Sequence, residues 1–286
     1  MAFTVVIVYR MNQPTRPPTL IPLTAMRRLY DLLRRFPSYD FHYAAVKECL
    51  RVPKELDGML KRSFDHVSQY QNEGESFHDR GTDGVPTQKR RESRKLPDQF
   101  VCLSAEGGIS VRDVILGCDY VDYEIDPLRT TGRAKSEDGS SASSGGMDLL
   151  LSHQQDRLPI VGEIKAGADA TLFLALVQSL TYAVELVTPS QRRRLIAAYP
   201  GRFQFQEAAS LVDIYLIQVN PPKDDWASKF MAAVDALAAT MLTQPFTSQI
   251  VRRIACLSAS GFDGKPVPLE TCFIHTSQPT STQSTS

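Results

Sequence analysis

Two short apolar runs separated by a polar turn constrain the fold of this 286-residue chain more than any other feature. The runs are residues 147–151 and 158–162, and the segment between them is polar. Short apolar runs bounded by turn residues are typical of buried strands. We therefore interpret them as a β-hairpin whose turn is centred between Gln155 and Asp156.

This hairpin predicts a register that brings charged residues together. With that turn centre, Asp148 lies opposite Glu163, and Leu149 lies opposite Gly162. Side chains alternate between the faces of a strand, so Lys165 projects on the same side as Glu163. Like charges that face each other on a sheet are destabilising, and a hard divalent cation bound by oxygen ligands would offset that cost.

The alternative interpretation is an ordinary sheet edge. A Glu-x-Lys triplet is expected by chance in a chain of this composition. In this interpretation, Asp148 and Glu163 lie at strand ends and are solvated. The position of both acids beside apolar runs favours the site, because unpaired charges are costly to bury.

A strongly apolar helix is predicted over residues 169–187, with Asp169 as its N-cap. At about 100° per residue, its polar side chains form one narrow stripe. The stripe consists of Thr171, Gln178, Thr181, Tyr182 and Glu185. It faces either solvent or a site, and the sequence leaves both alternatives open.

Asp148, the triplet Glu163, Ile164 and Lys165, and the helix with Gln178 and Tyr182 together resemble the PD-(D/E)xK nuclease superfamily. The Gln-x-x-x-Tyr helix is similar to that of its RecB-like branch. The resemblance covers residues 120–220 and implies an α/β fold. Its core would be restriction-endonuclease-like, in the order αβββαβ, with a mixed central sheet flanked by helices.

The resemblance also implies roles for the site residues. Asp148, Glu163 and the backbone carbonyl of Ile164 would bind Mg²⁺, with Mn²⁺ as an alternative cation. Lys165 would position the attacking water or stabilise the transition state, and Asp148, Glu163 and Lys165 would be the catalytic residues. A general-base role for Lys165 would need a strongly depressed pKa.

Gln178 and Tyr182 would support the site or contact the nucleic-acid backbone. The expected activity is metal-dependent hydrolysis of phosphodiester bonds in a nucleic acid, with DNA expected ahead of RNA. A homodimer is left open.

The chain departs from the family pattern at two points. Met147 precedes Asp148 where many members have proline, and a literal Pro-Asp pair at residues 97–98 lacks an adjoining strand. Many members also carry a glutamate on the first core helix. The candidates for it are Glu48, Glu55 and Glu124.

We divide the chain into three regions. Residues 1–95 contain a short strand over residues 4–9, a Pro-rich link and a mostly helical extension. Residues 96–275 form the nuclease-like domain, and residues 276–286 form a disordered Ser/Thr-rich tail. Helices are predicted over residues 25–36 and 43–70.

Within the nuclease-like domain, strands are predicted over residues 119–126 and 212–219, and an Ala-rich helix over residues 225–242. Residues 129–146 are rich in Gly, Ser and charge and are interpreted as a flexible insert.

Composition limits the function classes. The net charge is zero, so a basic surface for nucleic acid must be local. The basic runs at residues 89–95 and 192–194 are candidates, although such runs are more often solvated loops. The five cysteines form no CxxC pair, which indicates a reducing compartment. No run is long enough to cross a bilayer, so we expect an intracellular protein of the cytoplasm or nucleus, without a membrane partner.

Two other function classes stay open. One is a catalytically silent module of the same fold that binds nucleic acid or protein. The other is an interaction protein in which the acidic pattern is accidental.

Overall fold

A computed structural model describes residues 23–70, 118–128, 146–166, 171–205, 211–261 and 269–277. These residues form seven helices and one open, mixed sheet of six strands. Four features predicted from the sequence lie outside the described residues. They are the strand at residues 4–9, the basic run at 89–95, the Pro-Asp pair at 97–98 and most of the insert at 129–146.

The sheet contains its strands in sequence order. The first three strands form an antiparallel meander, the third to fifth are parallel, and the sixth is antiparallel to the fifth. The strands are β1 (Cys118–Ile125), β2 (Met147–His153), β3 (Pro159–Ala166), β4 (Val212–Val219), β5 (Val251–Ala259) and β6 (Glu270–Thr276).

The helices pack over one face of this sheet. Leu29, Phe173 and Leu237 from three helices share the largest core cluster with Leu216 of the sheet. The helices are α1 (Ala25–Arg35), α2 (Tyr39–Arg51), α3 (Pro53–Val67), α4 (Leu172–Leu186), α5 (Pro189–Ala198), α6 (Asp225–Met241) and α7 (Thr247–Ile250). Within the described ranges, no single helix is long and apolar enough to cross a membrane.

The N-terminal helices therefore share a core with the sheet. The predicted domain boundary at residues 95–96 falls outside the described residues and stays a prediction. At the other end, β6 ends at Thr276, and the backbone N–H of Ser277 donates to the carbonyl of Arg252 (2.8 Å). The first two residues of the predicted tail thus belong to the edge of the sheet.

Several predicted elements differ from the structure in their bounds. The segment predicted as one helix over residues 43–70 is two helices that meet at Val52 and Pro53, because proline has no N–H to donate and favours a first helical turn. Helix α4 begins later than predicted. Its N-cap is Thr171, whose hydroxyl accepts from the N–H of Leu174 (3.3 Å), and Asp169 lies outside the described residues.

The hairpin register is confirmed. Leu149 pairs with Gly162, and Leu151 pairs with Ile160. A Cβ atom at position 162 would lie 2.9 Å from the Cβ of Leu149, closer than van der Waals contact allows. Glycine at this position therefore lets the two strands approach closely, directly beside Asp148 and Glu163.

A buried ionic cluster ties α1 and α4 to the end of β1. Arg27 donates to both carboxylate oxygens of Glu185 (2.6 and 2.8 Å) and to Oδ1 of Asp126 (2.6 Å). Asp126 also accepts from the N–H of Leu128 (2.9 Å), which fixes the chain where β1 ends. A buried guanidinium that satisfies two carboxylates fixes how α1 sits on the sheet.

The close approach at Gly162 generates a stability prediction. We expect Gly162→Ala to lower the free energy of unfolding by about 1–3 kcal/mol, because the added methyl must displace Leu149. Gly58→Ala, within α3, is the matched control. Its Cβ would meet only the flexible end of Arg62, and it should raise stability by about 0.5–1 kcal/mol. Urea unfolding measures both, and equal effects would contradict the register argument.

Candidate metal and phosphodiester site

The hairpin brings the two predicted acids together. Oδ2 of Asp148 accepts a hydrogen bond from the backbone N–H of Ile164 (2.8 Å), which anchors its carboxylate across the two strands. The carboxyl group of Asp148 lies close enough to Glu163 for its negative charge to act on that residue. The side chain of Ile164 packs in the apolar cluster on the opposite face of the sheet, as strand alternation requires.

Glu163 is fully buried, and only one of its oxygens has a donor. Oε2 accepts from Nζ of Lys165 (3.1 Å), whereas Oε1 is buried and accepts no hydrogen bond from the described residues. Burial, and after it the negative charge of Asp148, raises the pKa of Glu163 well above its ordinary value. Two carboxyl groups this close together need a proton or a cation between them.

Lys165 is held in place by two acceptors. Its Nζ donates to Oε2 of Glu163 and to Oε1 of Gln178, both at 3.1 Å. Burial alone would lower the pKa of Lys165, but the charges of Glu163 and Asp148 outweigh it and raise that pKa. Lys165 is therefore a cation at neutral pH, and the general-base role is excluded for this arrangement.

The polar stripe of α4 faces the protein interior. Thr171, Gln178, Thr181, Tyr182 and Glu185 are all buried. The solvent alternative is therefore wrong for this helix. Gln178 contacts the site directly through Lys165, whereas Tyr182 lies between the site and the Arg27 cluster, where burial and then the charges of Asp126 and Glu163 raise its pKa. Their burial favours a supporting role for both over contact with a nucleic-acid backbone.

The sequence reasoning missed Tyr30 of α1. Its phenol lies within electrostatic range of Lys165, Glu163 and Asp148, and burial is the largest cause of its raised pKa. The spacing of Arg27 and Tyr30, one helical turn apart beside a buried face, is the signal that could have identified it.

Two of the three candidates for a first-helix acid, Glu48 and Glu55, do not join the site. Glu48 forms an ion pair with Arg51 on α2 (2.6 Å), and Glu55 is exposed at the start of α3. Nothing in the described side chains bears on Glu124, whose backbone lies in β1 next to Tyr123, the partner of Leu149.

Within the described ranges, no group of three or more Asp, Glu, His and Cys side chains is arranged to hold a metal ion. Among the described side chains, the acids at this site are Asp148 and Glu163. Comparisons with known protein families, with curated proteins and with solved structures gave no match to this chain.

The raised pKa of Glu163 predicts how Glu163→Gln changes stability with pH. Below the ordinary pKa of 4.5, the carboxyl is protonated in both the folded and the unfolded wild type, so the difference between wild type and variant is constant. Above it, only the unfolded wild type releases the proton readily, and the wild type loses stability relative to the variant. The slope is at most about 1.4 kcal/mol per pH unit. Urea unfolding of both proteins above pH 4.5 measures how much more stable the variant is than the wild type. A stability advantage of the variant that stays flat or shrinks as the pH rises would contradict the assignment.

Proposed function

We propose that this protein is a metal-dependent nuclease that hydrolyses phosphodiester bonds in DNA or RNA. The observation that carries the proposal is the fully buried Glu163 beside the partly buried Asp148, with an oxygen of Glu163 that no described residue donates to and with the cation of Lys165 beside it. This is the residue set of the PD-(D/E)xK nucleases that the sequence resembles.

The residues present fit a hard divalent cation. Oε1 of Glu163 is buried and accepts no hydrogen bond from the described residues, and the neighbouring carboxylate of Asp148 adds negative charge. Two carboxylates are few for a Ca²⁺ site. Mg²⁺ is commonly bound by one or two carboxylates and keeps several waters, so Mg²⁺ is the better fit, with Mn²⁺ as a substitute. Asp148, Glu163 and the carbonyl of Ile164 would hold it.

When bound, such a cation supplies positive charge that makes a nearby water more acidic and stabilises the phosphoryl group. Lys165 keeps its proton and would donate a hydrogen bond to a phosphate oxygen or to the attacking water. The water oxygen forms a new bond to phosphorus, and one P–O ester bond breaks. One water proton goes to solvent and the other stays on the new P–O group, while the leaving oxygen takes a proton from solvent and is released as a hydroxyl.

The order of elements also supports the proposal. Three helices precede strands β1 to β3, and helices α4 and α5 lie between β3 and β4, so the order contains αβββαβ with α2, α3 and α5 as additional helices. An αβββαβ order is expected for a restriction-endonuclease-like core, and the proposed site lies where β2, β3 and α4 meet.

A silent nuclease-like module is the second candidate. The observation that favours it is the small number of acids at the site, because the described side chains of α2 and α3 bring no further carboxylate to it. Such a module would bind the cation or nucleic acid without cleaving.

The raised pKa of Glu163 predicts that metal binding releases protons. Because the cation competes with the proton on Glu163, we expect net proton release on binding and an affinity that rises with pH up to the pKa of Glu163. Isothermal titration with Mg²⁺ in two buffers of different ionisation enthalpy measures this. The Glu163→Gln variant should bind no ion, and binding by that variant would place the ion elsewhere.

Cleavage assays distinguish the enzyme from the silent module. We expect Glu163→Ala to abolish Mg²⁺-dependent cleavage, and Lys165→Ala to lower it by about 10²- to 10³-fold, because each variant removes electrostatic stabilisation of the transition state. Glu48→Ala and Lys61→Ala change surface residues with ion-pair partners and are the matched controls. Single- and double-stranded DNA and RNA are tested in parallel. Cleavage by wild type no faster than by Glu163→Ala would refute the enzyme.

A further inference from the structure

Exposed aromatic rings line the surface beside the proposed site. Phe36, just after α1, and Trp226, in the first turn of α6, are two of the three large apolar side chains exposed within the described residues. Trp226 stacks on Phe230 (5.5 Å between ring centroids), and Tyr39 and Tyr43 contact its edge at 5.5 and 5.2 Å. We call the exposed Phe36 and Trp226 and the partly exposed Tyr39 and Tyr43, together with the buried Phe230 on which Trp226 stacks, the aromatic surface.

A cavity of about 180 Å³ opens beside these rings. Tyr39 and Phe230 line it, and so do Thr171, Gln218 and Ser258, which carry polar groups. A cavity lined by aromatic rings together with an amide and hydroxyls suits a flat, polar heterocycle, which can both stack and form hydrogen bonds.

The cavity lies next to the proposed site in the sheet. Gln218 of β4 pairs with Lys165 of β3, and residues paired on adjacent parallel strands lie about 5 Å apart on the same face of the sheet. Along α1, Phe36 follows Tyr30 by six residues, a helical rise of about 9 Å. A strand with its phosphate at Glu163 would therefore reach the aromatic surface within a few nucleotides.

The charges around the aromatic surface are mixed. Arg34, Arg35, Lys223 and Lys229 are exposed, and so are Asp40, Asp224 and Asp225. A surface with mixed charges gains little binding affinity from contacts to phosphates alone. Outside its grooves, a duplex presents mostly phosphates. Unpaired bases can instead stack on exposed rings, and this contribution does not depend on a basic field.

We propose that the aromatic surface and its cavity bind unpaired bases of a single-stranded nucleic acid next to the phosphate at the proposed site. The inference rests on the proposed function, because the bound strand is the one whose phosphate lies at Glu163. It assigns the substrate class: single strands, or duplexes with single-stranded ends.

The test uses the full chain in EDTA, so that no cleavage occurs. Trp226 is the only tryptophan, and its fluorescence therefore reports on this surface alone. A short single DNA strand should change that fluorescence and bind more tightly than the duplex of the same sequence. Anisotropy of a labelled strand then compares variants. Phe36→Ala and Trp226→Ala should each weaken single-strand binding about 5- to 150-fold, the range for losing one stacked base.

Three controls make the result decisive. Ile196→Ala removes the other exposed large apolar side chain, on α5, and should leave binding unchanged. Trp226→Phe keeps a ring and should retain most of the affinity. If Trp226→Ala lost affinity only because it misfolds, its melting temperature would fall, so an unchanged melting temperature is expected. Equal binding of duplex and single strand, or wild-type binding by both alanine variants, would overturn the inference even if Mg²⁺-dependent cleavage is found. Single-strand binding without cleavage would leave this surface standing and refute the proposed function.

Discussion

The register of the hairpin between β2 and β3 is the constraint on which the rest of the site depends. It places Asp148 beside Glu163 inside the protein, where two negative charges repel each other. The close approach at Gly162 and the hydrogen bond from Ile164 to Asp148 hold this register against that cost. A shift of β2 by one residue would turn Asp148 to the opposite face of the sheet from Glu163. Such a costly arrangement is typical of functional sites and is difficult to explain as a purely structural device.

The surrounding helices stabilise the positive charges of the site. Gln178 of α4 fixes the amine of Lys165, and the phenol of Tyr30 approaches the same group from α1. One turn before Tyr30, Arg27 ties α1 to Glu185, a residue of the same α4 stripe as Gln178. The two helices are thus joined by a buried ion pair on one side and meet the site on the other. Lys165 remains a cation in this setting, which suits a residue that orients and stabilises rather than one that abstracts a proton.

The sequence predicted the local parts of this arrangement and missed the distant ones. The hairpin follows from two apolar runs and a polar turn, and strand β4 was predicted with its observed bounds, because each pattern lies within a few consecutive residues. Strand β5 was missed because Arg252 and Arg253 interrupt its apolar pattern. In the structure, Arg252 forms ion pairs with Asp213 and Asp156, which are remote in sequence. The same limit hid Tyr30, whose approach to Lys165 depends on how α1 packs on α4.

The central claim is that the pair of acids is a cation site. A crystal grown with Mn²⁺ and measured for anomalous scattering tests it most directly, because the ion is located without reference to activity. The account predicts a peak about 2.0–2.6 Å from carboxylate oxygens of both Asp148 and Glu163, the range for hard divalent cations on oxygen. A crystal without such a peak, in which Glu163 stays protonated against Asp148 at saturating Mn²⁺, would contradict it.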